Sequence, residues 1–128
     1  MGTGTSLGAV RGLGSAKHGS GHWWTQRLTA TGNIMLVLWF IFSLVRLPSL
    51  GHAAVIGWLS SPLAAVPMAL LVINVFWHFR LGMQVVIEDY IHGGMRIIAM
   101  GMLHLWTFGA GAFCLYAILK IALTGASV

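Results

Sequence analysis

Residues 77–90 read WHFRLGMQVVIEDY, an apolar segment that contains one imidazole and ends in the pair Asp89-Tyr90. If the segment is helical, the eleven residues from His78 to Asp89 make about three turns and leave the two side chains within roughly 20° of each other. They lie about 16 Å apart along the helix axis. One face therefore carries a candidate metal ligand deep in the apolar segment and an ionisable group at its polar end. This geometry is typical of a redox site that spans part of a lipid bilayer.

The composition of the whole chain indicates an integral membrane protein. Of its 128 residues, 58% are hydrophobic and only 7% are charged, whereas soluble domains carry about 25% charged residues. The net charge of +5 comes from seven Lys and Arg spread along the chain, a pattern that suits a lipid bilayer with anionic headgroups and predicts no nucleic-acid partner. The single cysteine, Cys114, excludes an intrachain disulfide, a thiolate zinc site and an iron–sulfur cluster.

Three apolar runs predict an all-α fold with three transmembrane helices. They cover about residues 28–47, 62–89 and 95–123. Each has at least the roughly 20 residues that a helix needs to cross the hydrocarbon core. A stretch with Gly, Ser and Pro connects the first two runs, and Gly93-Gly94 separate the second from the third.

Two regions follow from this division: residues 1–21 are rich in Gly and Ser and predict a flexible tail, and residues 22–128 form the membrane anchor domain. The positive residues that flank the N-terminus and the second loop are Arg11, Lys17, Arg27 and Arg96, against Arg46 and Lys120 on the other side. Positive flanks mark the cytoplasmic side. We therefore expect the N-terminus inside, the C-terminus outside and Asp89-Tyr90 at the inner face, where soluble enzyme subunits would dock.

His78 is the principal candidate ligand, because a histidine within a membrane span is costly unless it has a partner. It could form an interhelical hydrogen bond, or its neutral imidazole could be an axial ligand of a b-type haem. Gly82 lies one turn further on the same face, where a missing side chain would let a flat macrocycle approach, although glycine is also common at helix contacts in membranes. His104 could complete a bis-histidine site within the chain or simply pack with a hydrogen bond. Arg80 faces about 200° away from His78 and must snorkel or pair with an acid.

Polar residues at the predicted inner ends of the spans are candidates for a second site. Asp89 and Tyr90 suit the membrane interface. Alternatively, the phenol could donate a hydrogen bond to a quinone carbonyl and the carboxyl group could supply protons, since quinone reduction takes two electrons and two protons. Arg27, at the start of the first span, could anchor a lipid phosphate or pair with a haem propionate, which fits the fork geometry of a guanidinium.

The pattern HxxxGM followed by DY, which begins at His78 and ends at Tyr90, resembles the signature of the small hydrophobic membrane anchors of succinate dehydrogenase, respiratory complex II. The segment HWWTQRLTA at residues 22–30 is similar to the segment that precedes the first helix in bacterial members. The chain length, the three spans and the topology agree with that family. The resemblance thus covers most of the chain.

The resemblance implies a role for each matching position. His78 would be one axial ligand of a haem b, whose second ligand comes from a partner anchor subunit of the cytochrome b type. Tyr90 would hydrogen-bond ubiquinone, with Asp89 beside that site, and Arg27 would lie near the haem propionates or the quinone. A flavoprotein subunit and an iron–sulfur subunit would carry the flavin and the clusters, for which this chain has no binding motif. The pattern gives His104 no role.

These observations lead to one hypothesis and two alternatives. We expect an anchor and electron-transfer subunit of succinate:ubiquinone oxidoreductase that has no succinate oxidation activity alone. A bacterial inner membrane is favoured over a mitochondrial one, because no Arg-rich amphipathic presequence is evident. The alternatives are a quinol:fumarate reductase anchor, with the same chemistry in reverse, and a membrane scaffold without a cofactor.

Overall fold

Four helices account for nearly all of the residues that the computed structural model describes, which are residue 6 and residues 19–125. In chain order they are α1 (Gly19–Val45), α2 (His52–Leu59), α3 (Pro62–Tyr90) and α4 (Gly94–Thr124). No strand occurs in this part of the chain. The helices α1, α3 and α4 are each long and apolar enough to cross a membrane. The predicted all-α fold with three spans is therefore confirmed, and the chain is a multi-pass membrane protein.

The two ends of α3 follow directly from the sequence. Pro62 lies in the first turn, where its missing N–H removes no helical hydrogen bond. At the other end, Ile91 has an extended backbone and Gly93 has a φ of +68°, a conformation that favours glycine. The chain consequently leaves α3 at Tyr90 and enters α4 at Gly94, as the glycine pair predicts.

The helix α1 begins well before the apolar run that predicted it. Hydropathy placed the first span at Leu28, but the helix already begins at Gly19. The additional turns contain polar residues that are compatible with a helix, and the Thr25 hydroxyl donates a 2.8 Å hydrogen bond to the Gly21 carbonyl oxygen. Of the predicted flexible tail, residues 1–21, only residue 6 and the helical residues 19–21 belong to the described part; the rest lies outside it.

A short helix, α2, lies in the stretch for which the sequence predicts only a connection between two spans. Trp58 stacks on Trp39 of α1, with ring centroids 5.9 Å apart. Leu59 is buried together with Ala65 of α3 and Ile118 of α4. The helix therefore covers one end of the bundle. Its eight residues are too few to give a clear helical periodicity.

The central helix of the three spans is α3, because it packs against both α1 and α4, and these two do not pack against each other. Most large apolar side chains are exposed, as Phe113 is at 75%. In a membrane such a surface faces lipid or the helices of partner subunits. Because α3 lies between α1 and α4, its side chains can contact either of these two helices.

Candidate functional site

His78 lies in the second half of α3, is half-buried and faces α1. Its Nδ1 atom is 3.0 Å from the hydroxyl oxygen of Thr29. Thr29 is the buried residue of α1, with 8% of its surface exposed. Among residues 19–125 the hydrogen bonds of His78 involve Nδ1 alone, so its Nε2 atom is free of partners within this part of the chain.

A polar network surrounds this contact and fixes how α1 packs on α3. The side-chain amide of Asn74, one turn before His78, donates to the Thr29 carbonyl oxygen at 2.7 Å and to Asn33 Oδ1 at 2.8 Å. A Cβ atom added to Gly32 would lie only 2.9 Å from Asn74 Nδ2. The close approach of α1 to Asn74 therefore requires glycine at position 32. This network was not predicted from the sequence, although two asparagines within apolar spans are a recognisable signal.

Gly82 lies one turn beyond His78 on α3, beside Gln26 of α1. A Cβ atom added to Gly82 would be 3.8 Å from Gln26 Nε2, an ordinary van der Waals distance. The packing of this chain therefore does not itself require glycine there. The Gln26 Oε1 atom is buried and has no hydrogen-bond partner among the described residues.

Arg80 faces the other neighbour of α3. Its Nη1 atom is 2.8 Å from Nε2 of His104 on α4. The guanidinium carbon is 4.8 Å from the ring centroid of Trp77 and 6.0 Å from that of Phe108. Of the two expected solutions, snorkelling or an acidic partner, neither is found in the described part of the chain. An imidazole and two aromatic faces stabilise the cation instead.

His104 uses both of its ring nitrogens within the chain. Its Nδ1 atom is 2.7 Å from the Met100 carbonyl oxygen, which can only accept, so Nδ1 carries the hydrogen. Its Nε2 atom then accepts a hydrogen bond from Arg80. Since His78 faces α1 instead, the structure does not bring the two histidines together. The bis-histidine site within the chain is excluded in this arrangement, and the packed, hydrogen-bonded alternative for His104 is confirmed.

Asp89 and Tyr90 occupy the last turn of α3 and are both exposed, Tyr90 at 81%. Within residues 19–125, neither side chain makes a hydrogen bond or an ion pair. The neighbouring Glu88 differs, because it accepts a 3.0 Å hydrogen bond from Gln84 and pairs with Arg96 at 3.6 Å. The pair Asp89-Tyr90 is thus open to a group from outside the described chain.

Arg27 is exposed near the beginning of α1, where its guanidinium carbon lies 5.0 Å from the ring centroid of Trp23. It precedes Thr29 by two residues and so points about 200° away from it around the helix. Within this chain the structure does not bring Arg27 to His78. Its role near a haem propionate or a quinone stays a prediction.

The chain is similar to a known protein family and to several of its members. Residues 1–119 match the family described as succinate dehydrogenase/fumarate reductase transmembrane subunit. The succinate dehydrogenase hydrophobic membrane anchor subunit of Paracoccus denitrificans is 30% identical over 115 residues, which are 90% of this chain and 89% of that protein. The protein of the same name in Rickettsia bellii is 40% identical over 82 residues, which are 64% of this chain and 66% of that protein.

A third relative is the succinate dehydrogenase membrane anchor subunit of Reclinomonas americana, which is 32% identical over 80 residues. That match covers 60% of this chain and 67% of the relative. The similarity therefore spans about two thirds of the Rickettsia and Reclinomonas proteins and most of the Paracoccus protein.

Proposed function

The chain belongs to the family of succinate dehydrogenase/fumarate reductase transmembrane subunits, and from this premise we propose that it is the hydrophobic anchor of a succinate:ubiquinone oxidoreductase. In this role it holds the soluble part of the enzyme at the membrane and helps to bind a haem b and a quinone. Its partners are a flavoprotein subunit, an iron–sulfur subunit and a second anchor subunit of the cytochrome b type. The relatives named as anchor subunits of succinate dehydrogenase support the main assignment.

The observation that carries the haem part of the proposal is the state of His78. A neutral imidazole nitrogen can ligate haem iron, and the Nε2 atom of His78 has no partner among the described residues. One turn further on α3, Gln26 of α1 lies beside Gly82, and its buried Oε1 atom has no hydrogen-bond partner among the described residues. These residues fit the group. When bound, the haem supplies a one-electron carrier between the soluble subunits and the membrane.

The last turn of α3 supplies the quinone part of the proposal. Tyr90 and Asp89 are exposed and free of partners within the described chain. A phenol can donate a hydrogen bond to a quinone carbonyl, and a carboxyl group near the aqueous edge can pass protons to it. Tyr90 is about 18 Å along the helix axis from His78. The same helix would thus carry both the haem ligand and the quinone contact.

The charge pattern supports an orientation for this arrangement. Arg27 and Arg96 lie at the ends of α1 and α4 that share a side with Tyr90, and positive residues favour the inner side of the membrane. We place Asp89-Tyr90 at the inner face, where the iron–sulfur subunit would dock. Arg27 would anchor a lipid phosphate or contact a haem propionate there. The membrane is that of a bacterium in this proposal, in keeping with the Rickettsia and Paracoccus relatives.

Absorption spectroscopy of the purified complex tests the haem assignment. His78→Ala should lower the haem content or abolish the low-spin spectrum, while His92→Ala is the control, because His92 is exposed between α3 and α4. An unchanged spectrum in the His78 variant would exclude its ligand role. A wild-type complex that lacks a haem spectrum and is insensitive to quinone-site inhibitors would instead favour a scaffold without a cofactor. The midpoint potential of the quinone used in the cell separates succinate oxidation from fumarate reduction.

A further inference from the structure

We infer that Thr29 positions the His78 imidazole by accepting a hydrogen bond from Nδ1–H, which leaves the Nε2 lone pair for iron. This inference rests on the proposed function, in which His78 is an axial ligand of a haem b. Thr29 does not touch the haem in this inference. It acts through the histidine, as partners of metal-bound imidazoles commonly do.

The positions of the hydrogen atoms around the Thr29 hydroxyl carry the first step. The hydroxyl oxygen is 2.8 Å from the Thr25 carbonyl oxygen, 3.1 Å from that of Gln26 and 3.0 Å from His78 Nδ1. A hydroxyl group has one hydrogen, and carbonyl oxygens can only accept. When Thr29 donates to either carbonyl, its lone pairs are left to accept from Nδ1–H.

The opposite arrangement is incompatible with ligation. If the Thr29 hydroxyl donated to Nδ1, the hydrogen of the neutral ring would be on Nε2, and this nitrogen could not bind iron. Iron ligation and the two carbonyl acceptors of α1 therefore favour the same tautomer of His78. The threonine connects the backbone of one helix to the ligand on another.

Burial and packing hold the threonine in place opposite the ring. Thr29 is 8% exposed, so water does not readily replace its partners. The Asn74 amide donates to the Thr29 carbonyl oxygen and to Asn33, and Gly32 permits this close approach. Asn74 and His78 are one turn apart on α3. This helix therefore carries the His78 ring and, through the Asn74 amide, also fixes the backbone of Thr29, whose hydroxyl accepts from the ring.

A matched residue shows what is specific to Thr29. Thr107 of α4 is also buried, at 4%, and its hydroxyl donates to the Leu103 carbonyl oxygen at 2.6 Å. Its hydroxyl does not contact a histidine ring in the described part of the chain. Replacing Thr107 thus removes a buried hydroxyl of the same kind without affecting His78.

The experiment compares Thr29→Val, Thr29→Ser and Thr107→Val in the assembled complex. Haem content per complex and the midpoint potential of the haem are measured. Thr29→Val should weaken haem binding by about 10–100-fold, the usual effect of losing the partner of a metal-bound histidine. The haem that remains should have a more positive potential, because the imidazole donates less electron density. Thr29→Ser should restore both values, and Thr107→Val should match the wild type.

Two results would overturn the inference: a wild-type haem content and potential in Thr29→Val, or equal changes in Thr107→Val. If Thr29→Val does not assemble, Thr29→Ala and Thr29→Ser replace it, since both lose the methyl group and only serine keeps the hydroxyl. Equal haem midpoint potentials in Thr29→Ala and Thr29→Ser would also contradict the inference. His78→Ala, measured in parallel, separates this outcome from failure of the proposed function. An unchanged haem spectrum there would exclude the ligand role itself.

Discussion

His78 and Arg80 are two residues apart on α3 and make their contacts with different helices. His78 contacts Thr29 of α1, and Arg80 contacts His104 of α4. This division follows from the rotation of about 200° between alternate residues of a helix. It places the proposed haem ligand on one side of α3 and the cation on the other.

The contact between Arg80 and His104 should contribute measurably to stability. Arg80→Met leaves His104 Nε2 without its donor, and we expect the free energy of unfolding to fall by about 1–3 kcal/mol. Thermal unfolding of complexes with Arg80→Met, His104→Leu and both changes measures the coupling. The double variant should lose less than the two single losses combined, since the second change removes the unpaired group. Strictly additive losses would show that the two side chains do not interact.

Gly32 should tolerate no side chain. In Gly32→Ala the added Cβ would meet Asn74 Nδ2 at 2.9 Å, and two hydrogen bonds hold that amide in place. We expect a loss of about 1–3 kcal/mol in the free energy of unfolding, as is usual for overpacking. Gly109→Ala is the control, because within the described chain no side chain or other helix lies within 4 Å of its added Cβ. Equal stability of the two variants would contradict the close packing of α1 on α3.

Asn74 should contribute both to the free energy of unfolding and to the haem content, because its amide holds the backbone of Thr29 opposite His78. Asn74→Leu removes the donor to Thr29 and Asn33, and each interhelical hydrogen bond in a membrane contributes about 0.6–2 kcal/mol. Adding Asn33→Leu should recover part of the loss, because it removes the Asn33 side-chain oxygen that Asn74→Leu leaves without its donor. Thermal unfolding and haem content are measured for both variants. A double variant that is less stable than Asn74→Leu would argue against the pairing.

The quinone assignment predicts a selective defect in Tyr90→Phe. Loss of one hydrogen bond to the quinone should slow quinone reduction by about tenfold, while succinate oxidation with an artificial acceptor should be nearly unchanged. Tyr116→Phe is the matched control, because Tyr116 is the other tyrosine of the chain and is also exposed, at 63%. If Tyr90→Phe changes quinone reduction and succinate oxidation with the artificial acceptor to the same extent, Tyr90 does not contact the quinone.

Much of the fold could be predicted because a membrane span is a collective property of about 20 residues. Hydropathy located all three spans, and Gly93 marked the turn between α3 and α4. It did not locate the start of α1, because residues 19–27 are helical but include several polar side chains that end the apolar run. It also did not identify α2, whose eight residues give too little periodicity.

The site was predictable only in part. A histidine in a span is conspicuous, and helical geometry correctly placed Arg80 on a different side of α3 from His78. The partners of these residues depend on how the helices pack: Thr29 and His78 are 49 positions apart, and Asn33 and Asn74 are 41 apart. No local pattern encodes such a pairing. For the same reason the sequence left both roles of His104 open.

The most direct test of the central proposal is an experimental structure of the assembled complex at a resolution that shows side chains and bound groups. We predict that Nε2 of His78 lies within coordination distance of a haem iron, with Nδ1 on the Thr29 hydroxyl and the second axial ligand from the partner anchor. A His78 side chain that faces lipid, or a haem held by other residues, would contradict the proposal.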